Sequence, residues 1–103
     1  MRNQVFVYLK NGGEFQLNVE DAASVSPDAA RAWLDAQFVA LECEPLRASG
    51  KVLTADKVLR VTEAAGPALF ADEKWAADYA RAVSVALGRP LIRVDVPAMA
   101  ITY

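Results

Sequence analysis

Cys43, the only cysteine of the chain, stands between Glu42 and Glu44 in the run VALECEP, residues 39–45. A nucleophilic cysteine needs a helix N-terminus, a cation or an imidazole to favour its anion. Flanking carboxylates offer none of these, and the chain has no histidine at all. Cysteine–histidine catalysis is thereby excluded. For zinc, one sulfur and a few oxygens fall short of the usual nitrogen and sulfur ligand sets. Cys43 therefore reads as a small buried hydrophobe.

Without histidine, acid–base chemistry near neutral pH would rest on a carboxylate, lysine or tyrosine. Glu42, Glu44 and Asp95 are available, but nothing in their spacing brings them together, and they read as solvated strand faces. The segment ASGKVLT, residues 48–54, resembles a phosphate loop only superficially. Pro45 stands where the first glycine belongs, and Val52 where Ser or Thr must follow Lys51. In EAAGPALFADEKW a helix N-terminus could meet an anion, yet Asp72 and Glu73 already complement its dipole. The sequence assigns no catalytic residue, no metal ligand and no cofactor.

Arg47, Lys51, Lys57 and Arg60 form a basic segment with Asp56 as its sole acid. Residues 46–69 contain no aromatic for stacking on bases, so nucleic acid is an unexpected partner. The net charge of −2 adds no pull toward polyanions. The charge is unevenly spread, with 3 basic and 7 acidic groups in residues 1–45 against 8 and 6 in residues 46–103. Trp33, Trp75 and Tyr79 lie on apolar helix stripes that should face a sheet. They are the candidate lining of a pocket between sheet and helices.

The elements that would position these residues follow from periodicity. QVFVYLKNGGEFQLNV, residues 4–19, has two alternating runs around Asn-Gly, the strongest short hairpin signal. A two-residue turn at Asn11-Gly12 would pair Tyr8 with Phe15, Phe6 with Leu17 and Gln4 with Val19. The first strand is apolar on both sides and belongs inside a sheet, the second nearer an edge. Ser26, Pro27 and Asp28 spell a helix start, followed by a stripe of Ala30, Trp33, Leu34 and Gln37 or Phe38. Residues 39–44 read better as a strand, because a continued helix would turn Glu44 toward the apolar stripe.

Thr54 to Gly66 reads as a helix capped by Thr54 and stopped by Gly66-Pro67, although KVLRVTE also alternates like a strand. Asp72 to Leu87 gathers Trp75, Ala76, Tyr79, Ala82, Val83 and Ala86 on one side, with Lys74, Asp78, Arg81 and Ser84 on the other, before Gly88 ends it. LIRVDV then alternates, with Ile92, Val94 and Val96 inward and Leu91, Arg93 and Asp95 outward. The tail AMAITY carries no charge, and its extended form puts Met99, Ile101 and Tyr103 on one side. Such a tail should dock on its own sheet or on a second copy.

With 103 residues, 54% of them hydrophobic, the chain should form one α+β domain over residues 1–103. The expected architecture is a mainly antiparallel sheet of about four strands with two or three helices on one face. The N-terminal stretch lacks a signal-peptide core, no run is long enough to span a membrane, and a lone cysteine suits the cytoplasm. The sequence points to a non-enzymatic protein-interaction or regulatory module. It would self-associate or bind a protein partner through Met99, Ile101 and Tyr103. The other reading is a small ligand-binding domain, or a histidine-free enzyme using carboxylates and arginines in a sheet–helix pocket.

Overall fold

Three helices open in the same way. Ser26, Thr54 and Asp72 each take an extended backbone conformation and accept a hydrogen bond from the amide three residues on, at 3.1, 3.3 and 3.1 Å. Each cap satisfies one of the amides that a helix leaves without an internal partner. The helices are α1 (Pro27–Ala40), α2 (Ala55–Phe70) and α3 (Glu73–Leu87). The strands are β1 (Asn3–Tyr8), β2 (Glu14–Val19), β3 (Arg93–Asp95) and β4 (Ala100–Thr102). The computed structural model describes residues 3–8, 14–19, 25–43, 53–88, 91, 93–96 and 100–102.

The helix ends are set by local chemistry. Pro67 drives its predecessor out of the α region, and Gly66 adopts φ 65°, ψ 179°, which breaks α2 four residues before its end. Gly88 closes α3 in the left-handed region at φ 70°. The end of α1 differs from the sequence expectation of a strand over residues 39–44: residues 39–43 do not form one. The helix runs to Ala40, and Glu42 then turns left-handed at φ 58°. The amide of Glu42 donates to the Val39 carbonyl at 3.0 Å and that of Cys43 to the Phe38 carbonyl at 2.6 Å. This is the Schellman arrangement with glutamate in the usual glycine place. It stops the helix with no breaker in the sequence.

The sheet has the order β2-β1-β3-β4 and is mixed, which corrects the expectation of a mainly antiparallel one. The outer pairs, β1 with β2 and β3 with β4, are antiparallel, but the central pair β1–β3 is parallel. Nothing local sets that direction, because more than eighty residues separate the two strands. β1 is nevertheless interior, as its two apolar faces suggest. The hairpin register also differs by one residue: Val5 pairs with Leu17 and Val7 with Phe15, while Phe6 meets Gln16. The reason lies in the third strand. Val7 also pairs with Val94, so this register puts Val7, Leu17 and Val94 together on the face that the helices bury. The connecting Asn11-Gly12 turn lies outside the described residues.

On the opposite face Glu14, Gln16, Arg93, Ala100 and Thr102 are exposed, and Phe6 and Asp95 are half-buried. Arg93 and Asp95 pair there at 3.3 Å. On the covered face α3 packs against α1, α2 and β2, and α2 reaches β4. The core contains Leu34 and Phe38 from α1, Val58, Val61 and Phe70 from α2, and Tyr79 and Val83 from α3. Burying each such side chain stabilises the fold by about 1.5–3 kcal/mol. Two residues expected outside are inside: Ser84, whose hydroxyl accepts from the Leu91 amide at 3.1 Å, and Leu91, which is fully buried. The bond accounts for both, since it satisfies the buried Ser84 hydroxyl and holds Leu91 against α3. The Cα radius of gyration is 12.5 Å, close to the roughly 13 Å expected for this length.

Candidate functional site

A cluster of aromatic rings lies where α1, α3 and the end of α2 meet. Trp75 stacks on Tyr79 with centroids 5.3 Å apart, Phe70 meets both edge-on at 5.3 and 5.4 Å, and Trp33 reaches Trp75 at 6.1 Å. Phe70 arrives from the short segment beyond the Gly66 break. Offset and edge-to-face contacts suit the ring quadrupoles, each adding about 0.5–1.5 kcal/mol beyond burial. The Trp75 indole N–H donates to Gln37 Oε1 at 2.9 Å, which ties α3 to α1. Tyr79 is buried, its hydroxyl 3.0 Å from the Val58 carbonyl and 2.9 Å from the Thr62 hydroxyl. Thr62 donates to that same carbonyl at 2.9 Å.

The three aromatic residues singled out in the sequence are thus brought together where α1 and α3 pack. Trp33 also borders an open cleft of about 400 Å³ between α1 and α3. Val25, Ala29, Ala30 and Trp33 form one side, and Lys74, Asp78, Arg81 and Ala82 the other. The charged residues stand at successive turns of α3. Lys74 Nζ and Arg81 Nη1 approach opposite oxygens of Asp78, at 3.2 and 3.4 Å.

A second, much smaller recess joins Cys43 and Phe38 to Lys57 and Arg60 of α2. The Cys43 thiol lies 3.6 Å from the Leu41 carbonyl and 4.0 Å from that of Arg60, and the residue is half-buried. Sequence proximity showed only its carboxylate neighbours. The two cations come from an element that begins twelve residues later, and the left-handed turn at Glu42 delivers the thiol to them. Arg47 and Lys51 lie outside the described residues, so the rest of the basic segment is not placed.

Ile101 sits at the centre of β4, half-buried beside Ala55, Asp56 and Leu59 of α2. Met99 and Tyr103 lie outside the described residues. Among the described residues no three or more Cys, Asp or Glu side chains cluster to hold a metal, and no helix is long and apolar enough to cross a membrane. The chain finds no match among models of known families, characterised proteins or solved structures.

Proposed function

We propose that this chain is a protein-interaction module that self-associates through the β4 edge of its sheet. One observation carries the reading: the sheet ends in a strand without charge. An edge strand presents unpaired amides and carbonyls, and proteins commonly guard it with charged residues. The β2 edge follows that habit, with exposed Glu14 at its start. β4 does not. From Val96 to Tyr103 no residue is charged, and β4 is the last strand in the order β2-β1-β3-β4.

Pairing of β4 with β4 of a second copy about a twofold axis would join two four-stranded sheets through an isologous contact. Ile101 would face its own counterpart across the axis. A three-residue strand offers few ladder bonds, so the dimer should be concentration-dependent.

The test places a charge at each of the two exposed positions of β4, in the double variant Ala100→Lys/Thr102→Lys. Ile101 keeps its packing on α2, so the fold should survive. Light scattering should give a dimer mass for the wild type at high concentration and a monomer mass for the variant, because like charges meet across the axis. A wild type that stays monomeric at high concentration, or a variant that still dimerises, would sink the proposal.

A further inference from the structure

The groove between α1 and α3 is a different surface from the β4 edge, with a composition of its own. Its floor is made of small side chains: Ala30 and Ala82 are buried and Ala29 is exposed. Beside them stands Trp33, partly buried, its ring in contact with Trp75, which is itself held by Gln37. A flat apolar wall held in place before binding loses little entropy when a ligand arrives. At about 400 Å³ the groove falls within the roughly 300–1,000 Å³ of small-molecule sites.

Among the described residues its lining carries an excess of positive charge: Lys74 and Arg81 share the single carboxylate of Asp78. The two cations differ in what they can offer. Lys74 is almost wholly in water, its side chain 88% exposed, and an ammonium there is worth little to a ligand. Arg81 is 30% exposed and lies beside the apolar floor. A guanidinium has five N–H donors in a fixed fork, so one contact to Asp78 leaves donors for a second carboxylate.

We propose that this groove binds a small apolar carboxylate, with its hydrophobic body on Trp33 and Ala29 and its carboxylate on Arg81. A neutral apolar molecule would use the floor alone. A cation would meet the excess positive charge of the lining, and a dianion would exceed it.

The experiment uses phenylacetate as the probe and its neutral amide, phenylacetamide, as the control. Proton–nitrogen NMR spectra follow the two indole N–H signals, with Trp33→Phe assigning them. Phenylacetate should shift the Trp33 signal saturably. Replacing it by the amide, or making Arg81→Gln, should weaken binding at least about ten-fold, the lower end of the value of a hydrogen bond to a charged group. Ala29→Leu fills the groove from an exposed position, leaves the charges alone and should also weaken binding, which separates loss of the site from loss of the fold.

Three outcomes overturn the proposal. One is the absence of a saturable shift below about 10 mM, weaker than any specific site of this kind need be. Another is equal binding of acid and amide, or no effect of Arg81→Gln. The third is a shift of Trp33 with protein concentration and no probe, which would mean that a second copy fills the groove.

Discussion

At the scale of single residues, the Tyr79 hydroxyl is a polar group on an almost fully buried side chain. Thr62 and Val58 meet it on α2, one turn apart, so the helical repeat itself builds its partner set. Tyr79→Phe removes the hydroxyl without opening a cavity, and Thr62 keeps its bond to the Val58 carbonyl. The expected cost is about 1 kcal/mol, the net worth of a typical intramolecular hydrogen bond. It should appear as a lower urea midpoint at unchanged slope. A cost beyond about 3 kcal/mol would show that the ring cluster depends on the hydroxyl for its geometry. The spacing of Trp75, Ala76, Tyr79, Ala82 and Val83 already marked the buried stripe of α3. What it could not show was that Ser84 also turns inward, because its partner, the Leu91 amide, lies beyond the helix end.

At the scale of elements, the helix starts were legible because capping is chemistry within four residues. Ser26, Thr54 and Asp72 need no distant partner to do their work. The Gly66-Pro67 break was legible for the same reason, and it has a consequence for packing: the chain changes direction there before Phe70 enters the ring cluster. Gly66→Ala should therefore destabilise by about 1–3 kcal/mol. Space is not the cause, since nothing lies within 4 Å of an added Cβ. The cause is backbone strain at φ 65°, ψ 179°, a region that residues with a Cβ avoid. Thermal unfolding compared with Gly88→Ala, a milder left-handed site at φ 70°, ψ 21°, checks this: the Gly66 change should cost more. The end of α1 was not legible, because a glutamate rather than a glycine takes the left-handed position, and propensity alone does not select it.

At the scale of the whole molecule, the sheet order follows from contacts that span nearly the full chain. Val7 pairs with Leu17's strand on one side and with Val94 on the other. Periodicity marked all of these residues as apolar, but neither the parallel direction nor the one-residue register is written in any single segment. The candidate site shares this character. Its parts, Trp33 and Arg81, sit on different helices, so the groove exists only once α1 and α3 are packed. The molecule should depend heavily on its last strands. A chain cut after Gly88 loses Leu91, Val94 and Val96, all almost fully buried. At about 1.5–3 kcal/mol each, their loss approaches the 5–15 kcal/mol by which domains are stable. Circular dichroism on heating should show no cooperative transition for that fragment. A sharp transition near that of the full chain would mean that the hairpin and helices form a core without β3.

The parallel pairing of β1 with β3 also bears on how the protein is made. β1 leaves the ribosome before its neighbour Arg93–Asp95, which follows more than eighty residues later. At roughly 5–20 residues per second, β1 waits on the order of ten seconds with one edge bare. During that interval the nascent hairpin is a template for any passing strand, its own duplicate on the same messenger included. The finished chain carries an uncharged edge at β4; the growing chain carries a second one, at β1, until translation closes it.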